Sequence, residues 1–251
     1  MRIICVEDYH QMSKKAANIV ASQLILKPNS VLGLATGATP LGMYKQLVKT
    51  YKAGHIDFEE VTTFNLDEYY GLNKENEQSY YYYMYDNFFQ YINIDMKKVN
   101  IPNGMARDIH KESLAYERKI RSCGGVDLQV LGIGRNGHIG FNEPDIKFEA
   151  LTHMVRLDEQ TIQDNSRFFD SIEDVPTKAI SMGIKTIMHA KKILLLANGK
   201  EKAEAIYGAI YGKITPELPA SVLQLHPDVV FVMDQDAASK LDLEKLKEEY
   251  L

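Results

Sequence analysis

Two cysteines stand in 251 residues, Cys5 and Cys123, in unrelated settings and without ligand spacing. They read as free thiols of a reducing compartment, not as a disulfide frame or a metal knuckle. No apolar run approaches the roughly 18 residues that a membrane span needs. The opening residues, Met-Arg-Ile-Ile-Cys-Val-Glu-Asp, lack the long apolar stretch of a secretion signal, so the expected location is the cytoplasm. The formal net charge is −5 and no block of basic residues interrupts the chain. Bulk electrostatics therefore exclude nucleic acid and acidic membrane surfaces as partners. Internal repeats, linkers and low-complexity segments are also missing, and the whole length 1–251 is expected to form a single domain.

What is present is the balance of a soluble globular protein, 45% hydrophobic and 25% charged. Extended apolar segments alternate with helical periodicity. Strands are expected at residues 2–6, 30–34, 61–66, 98–102, 126–131, 179–183, 193–197 and 229–233, with an extended stretch at 151–157. Between them, Met12, Ala16, Ile19, Val20 and Leu24 share one helical face. So do Leu41, Tyr44, Leu47, Val48 and Tyr51. Further helices are expected at 79–92, 107–122, after Gly199, at 218–225 and in the charged tail 237–250. Tyr80, Tyr81, Tyr82, Tyr83, Tyr85, Phe88, Phe89 and Tyr91 crowd the first of these and read as packing, because they lack the basic residues of a nucleic-acid platform. Such alternation implies an α/β fold with a mostly parallel sheet covered on both faces.

The densest chemistry lies after the strand at 126–131, in Gly132-Ile-Gly-Arg-Asn-Gly-His-Ile-Gly-Phe-Asn-Glu-Pro144. Four glycines allow sharp turns and close approach to a ligand, and a loop at the carboxyl end of such a strand is where open α/β sheets bind ligands. Gly132-Ile-Gly-Arg-Asn-Gly137 also matches a dinucleotide fingerprint, with Asp158 about twenty residues on. That motif requires a helix to begin at once, and the residues that follow have no helical period. Ala35-Thr36-Gly37-Ala38-Thr39-Pro40 joins a strand to a helix, with Thr39 suited to the N-cap and Pro40 to the first helical position. Free amides at a helix start make this an anion site as well as a plain connection. Asp67 and Glu68 adjoin at the end of another strand. Neighbours on an extended chain point apart, so at most one of them faces a shared pocket, and a solvated turn remains open for Asp67. Arg167 on its own reads first as a surface arginine, although its planar fork suits an oxyanion.

Gly134-Arg-Asn-Gly-His-Ile-Gly-Phe-Asn-Glu-Pro144 resembles the signature loop of the glucosamine-6-phosphate deaminase family. Residues 35–40, Asn65-Leu-Asp-Glu-Tyr69 and Asn165-Ser-Arg-Phe-Phe169 agree with that family in order and spacing, over about residues 1–235. The resemblance implies a three-layer αβα sandwich, Rossmann-like, with a mostly parallel central sheet. It implies conversion of glucosamine 6-phosphate and water to fructose 6-phosphate and ammonia. Each step is a proton transfer, so side chains suffice, with no metal and no cofactor. By the same resemblance Asp67 moves the C2 proton to C1, His138 shuttles a proton between O5 and O1 in ring opening, and Glu143 orients His138. Thr36, Gly37, Ala38, Thr39, Arg167 and Lys202 grip the phosphate, with Lys200 a rival to Lys202 and the contacting hydroxyl left open between Thr36 and Thr39.

Two departures stand out. Many members carry aspartate where this chain has Asn136, whose amide can orient the imidazole but cannot raise its pKa as a charge does. Allosteric members also carry a basic cluster after the Asn-Glu-Pro segment. Here Ala150-Leu-Thr-His-Met-Val155 has no lysine or arginine, and the longer C-terminal extension of those members is missing. Hyperbolic kinetics, no allosteric activator, and a monomer or small homo-oligomer are expected. Two rivals are a 6-phosphogluconolactonase and a non-catalytic sugar-phosphate sensor. The lactonase shares the Gly-x-Asp/Asn-Gly-His core but runs on toward Leu-Phe-Pro, without a counterpart of Glu143. A sensor tends to lose the acid/base residues and to carry a DNA-binding helix pair before the domain, whereas this sequence opens on its first strand.

Overall fold

The structure is a computed structural model that describes residues 1–242. In chain order its elements are β1 (Arg2–Val6), α1 (Tyr9–Leu26), β2 (Val31–Leu34), α2 (Ala38–Lys52), β3 (Thr62–Asn65) and β4 (Asp67–Tyr69). Then come α3 (Tyr80–Asn87), β5 (Val99–Asn100), α4 (Ile109–Ser122), β6 (Leu128–Leu131), β7 (His153–Arg156) and α5 (Glu159–Asn165). The chain continues through β8 (Lys178–Ser181), α6 (Ile184–Met188), β9 (Ile193–Ala197), α7 (Ala203–Tyr211) and β10 (Val229–Asp234).

Seven strands form one sheet in the order β1-β10-β9-β6-β2-β3-β5, with every pairing parallel. All residues of β2, β6, β9 and β10 are buried, which requires cover on both faces. Helices provide it: α1 starts at the N-cap Asp8, whose carboxylate accepts the Gln11 N–H, and packs along α2. The expected mostly parallel sheet flanked by helices is therefore observed.

The topology decides where a ligand fits. After β2 the chain moves outward to β3, and after β6 it moves the opposite way to β9. The order reverses between β2 and β6, and a crevice opens there at their carboxyl ends. The turn after β2 and the glycine-rich loop after β6 both rise from that point.

Residues 61–66, expected as one strand, end their parallel pairing at Asn65. Leu66 is the joint: its N–H donates to Leu34 O, and its carbonyl accepts from Met182 N. Beyond it β4 enters a second sheet, ordered β4-β8-β7 and antiparallel throughout, with Asp67 opposite Ser181. This small sheet sits over the crevice side and carries a satellite core of Tyr69, Phe141, Leu157 and Ala179. The expected strand at 98–102 shortens to β5, and the helix expected at 218–225 is a 3-10 segment over Pro219–Leu225. The helix at 79–92 breaks at Phe88, after which Phe89–Tyr91 is 3-10; Phe88 and Phe89 do face the core. In the expected C-terminal helix, residues 237–241 form turns and a bend instead, and those after 242 lie outside the described residues. Among the described residues, no helix is long and apolar enough to cross a membrane.

Candidate active site

The crevice holds a cleft with about 800 Å³ of empty space, open to solvent. Thr36, Gly37, Ala38, Thr39, Asp67, His138, Arg167 and Lys202 all line it, so residues far apart in sequence converge as the four motifs suggested. Asn136 and Glu143 stand behind His138.

The turn from β2 to α2 forms one wall. Gly37 has φ +95°, a region that residues with a Cβ adopt only under strain, and it lets the chain double back into the helix. The expected N-cap at Thr39 is not formed: α2 begins at Ala38 after Gly37, without a side-chain cap. The Thr39 hydroxyl instead donates to Asn198 Oδ1 at 2.8 Å. Leading amides of α2 are thereby left to a ligand.

His138 lies in the loop after β6, where no helix starts, so the dinucleotide reading fails on structure. A Cβ on Gly134 would come within 2.4 Å of the imidazole, and glycine there makes room for the ring. His138 Nδ1 is 3.0 Å from Glu143 Oε2. Burial alone would raise the Glu143 carboxyl, but hydrogen bonding and charge from His138, with hydrogen bonds from Thr161 and Asn136, hold it down at about 2. An ionised carboxylate only accepts, so Nδ1 carries the proton and Nε2 is left for the cleft. Asn136 does not orient the ring as expected. Its amide donates to Glu143 Oε2 at 2.8 Å, and its oxygen accepts the His138 backbone N–H at 3.2 Å.

Asp67 and Glu68 diverge, as an extended chain requires. Glu68 turns away from the cleft: Oε1 accepts from Tyr69 and Tyr80 N–H at 2.9 and 2.8 Å, and Oε2 from Tyr81 N–H at 2.9 Å. It thereby holds the N-terminus of α3. Asp67 is not a solvated turn residue, since it is 6% exposed and lines the cleft. Burial first, then the Glu68 charge, push its carboxyl up to about 8.

Opposite the turn, Lys202 is half-buried and its ammonium is pushed down by burial, with Glu201 and Asp164 opposing the shift. Arg167 is exposed at the rim, with its guanidinium 4.9 Å from the Phe168 ring centroid. Lys200, the rival cation, is not among the cleft-lining residues.

Several site residues had escaped the sequence reading. Thr161 donates to Glu143 Oε1 at 2.6 Å, and Tyr80, read as packing, lines the cleft and hydrogen-bonds Thr36. Only Asn198 carried a usable signal, because it follows a strand whose neighbours bind at their carboxyl ends.

Comparison with known proteins agrees with this geometry. Residues 7–231 match the family model for glucosamine-6-phosphate isomerases and 6-phosphogluconolactonase. A glucosamine-6-phosphate deaminase of Clostridium botulinum (strain Kyoto / Type A2) is 65% identical over 97% of this chain and 100% of its own. That of Clostridium novyi (strain NT) is 64% identical over 96% of this chain and all of its own. The solved structure of a monomeric glucosamine-6-phosphate deaminase superposes with a TM-score of 0.93 at 48% identity, covering 95% of this chain and 99% of that one. A 6-phosphogluconolactonase from Trypanosoma cruzi, at 19% identity and a TM-score of 0.78 over 96% of this chain and 97% of its own, shares the fold.

Proposed function

The chain belongs to the family of glucosamine-6-phosphate isomerases and 6-phosphogluconolactonases, and from that membership we propose that it is the deaminase: it converts glucosamine 6-phosphate and water to fructose 6-phosphate and ammonia. The observation that carries the assignment is the pairing of Glu143 with His138, whose ring lines the same cleft as the buried Asp67.

The phosphate sits against the amides of Gly37, Ala38 and Thr39 and faces Lys202 and Arg167. Both the helix start and the two cations favour a dianion there. Binding energy spent at that end fixes the sugar's reacting carbons at the other. His138 takes the proton from the O1 hydroxyl and returns one to O5, which opens the pyranose to the aldehyde. Glu143 steadies the imidazolium between those two transfers. Asp67 then removes the C2 proton while the C2 ammonium yields one to O1, leaving a cis-enolamine, and Asp67 delivers its proton to C1. The resulting C2 iminium takes up water and releases ammonia, which completes the ketose. Every step moves a proton or adds water, so side chains supply the acids and bases.

A phosphorylated sugar is retained by a lipid bilayer, and the cytoplasm is the compartment this substrate implies. We read residues 1–251 as one domain and the working species as a monomer, which the monomeric relative supports.

Ammonia release from glucosamine 6-phosphate, measured in the presence of a chelator, tests the assignment. Wild type should release ammonia and Asp67→Asn should lose at least about 10²-fold in kcat. Absence of release by wild type, or full activity in Asp67→Asn, would refute it.

A further inference from the structure

Around residues 35–42 three tyrosine hydroxyls end on backbone atoms. Tyr44 Oη donates to Ala35 O at 2.6 Å, Tyr83 Oη to Gly37 O at 2.6 Å, and Tyr9 Oη to Ala38 O at 2.9 Å. Tyr9 also accepts the Gly42 N–H at 2.8 Å. Its hydroxyl thus bridges the donor and acceptor that a regular i→i−4 bond would join in the first turn of α2. Gly42 is part of the same arrangement, since a Cβ there would lie 3.0 Å from Tyr9 Oη and 2.2 Å from Ser13 Oγ. Tyr44 belongs to α2 and is fully buried in the core. Tyr9 and Tyr83 come from elsewhere, α1 and α3, and neither lines the cleft.

Resting on the phosphate-binding role assigned above to this turn, we infer that Tyr9 and Tyr83 are positioning residues for the substrate's phosphate: they hold the Gly37 and Ala38 carbonyls so that the amides of Ala38 and Thr39 are presented to it.

The peptide plane supplies the link. In a trans peptide the C=O and the next N–H point in opposite directions, and no peptide bond here is cis. Pinning Gly37 O to Tyr83 sets the Ala38 N–H, and pinning Ala38 O to Tyr9 sets the Thr39 N–H. Both hydroxyls approach from outside the cleft, so both amides are turned toward it. Without the pins, the Gly37 peptide is the part of the turn freest to rotate, because glycine leaves φ unrestrained by a Cβ. Preorganised donors bind an anion without first ordering themselves, so the effect falls on affinity for phosphate and not on proton transfer at C2.

The test compares wild type with Tyr9→Phe, Tyr83→Phe and the double variant, which keep the rings and their packing. Three quantities are measured: KM and kcat for glucosamine 6-phosphate, and the dissociation constant of inorganic phosphate, read by calorimetry independently of turnover. Each single variant should weaken phosphate binding about fivefold and raise KM by a similar factor, as loss of one hydrogen bond would. The double variant should lose about 20-fold, with kcat within about twofold of wild type. Restoring the hydroxyl at one position of the double variant should return the single-variant values. Unchanged phosphate affinity in the double variant, or a loss confined to kcat, would overturn the inference. Failure of wild type to release ammonia while the phosphate constants still shift as expected would overturn the deaminase assignment and leave these two roles standing.

Discussion

Both oxygens of Glu143 are committed: Oε2 to His138 and Asn136, and Oε1 to Thr161. This arrangement separates support for the imidazolium from support for the carboxylate. Glu143→Gln would replace the charge facing Nδ1 with a neutral amide and leave the ring without its counter-ion. Asn136→Ala would remove one of several donors and leave the charge. Turnover should therefore fall about 10²-fold or more in Glu143→Gln and less than about 10-fold in Asn136→Ala. Comparable losses in the two would contradict the division. A second residue-scale expectation concerns Asp67, whose carboxyl stands at about 8. A base works ionised, so kcat/KM should rise with pH, about tenfold per unit, and level off above about 8. An ammonium on C2 beside Asp67 favours the carboxylate, so in the complex the limb of kcat should lie at lower pH. A kcat limb at the same pH as that of kcat/KM, or above it, would rule this out. The identities of Asp67, His138 and Glu143 were legible as motif residues. Burial of Asp67 and the second oxygen of Glu143 were not, because each depends on an element far off in sequence: Ser181 sits opposite Asp67, and Thr161 reaches Glu143.

At the scale of elements, β4 and α3 act as one unit through Glu68. Its carboxylate is the acceptor for three backbone amides, two of them at the positive end of α3. Burial raises the Glu68 carboxyl to about 7 even though those amides, first from Tyr80, then Tyr81 and Tyr69, favour its ionised form. Glu68→Ala strips the amides of their partner and should cost about 2–4 kcal/mol of stability in urea unfolding. Because α3 brings Tyr80 to the cleft and Tyr83 to Gly37, the same variant should also weaken phosphate binding. A cost below about 1 kcal/mol, with unchanged phosphate affinity, would show that α3 is held by its packing alone. Periodicity located most elements, since β2, β6, β9 and β10 are apolar runs bounded by turns. It could not locate the joint at Leu66, because a strand leaving one sheet for another stays extended and keeps the same residue types. Nor could it give the tyrosines of α3 their polar duty: a tyrosine that packs and one that packs and donates have the same pattern.

At the scale of the molecule, the reversal of strand order between β2 and β6 assembles the site from one end of the sheet, all of it within one chain. Every group assigned above to binding or proton transfer belongs to this one sequence, which fits the monomer proposed above. The resemblance places the seat of an N-acetylated sugar-phosphate activator near residues 150–155, where no lysine or arginine occurs. Of the neighbouring ones, Lys147 is exposed and paired with Glu149 at 2.8 Å, and Arg156 lies on β7 beyond the stretch. The monomer proposed above has no subunit interface across which an effector could bias the site. Rate against glucosamine 6-phosphate should therefore be hyperbolic, with a Hill coefficient of about 1, and N-acetylglucosamine 6-phosphate should not activate. Light scattering should return the mass of one chain, 28.5 kDa, across the concentrations used for the assay. Sigmoidal rates that become hyperbolic on adding the N-acetylated sugar, together with a mass of several chains, would place an effector seat between subunits and overturn the single-chain reading.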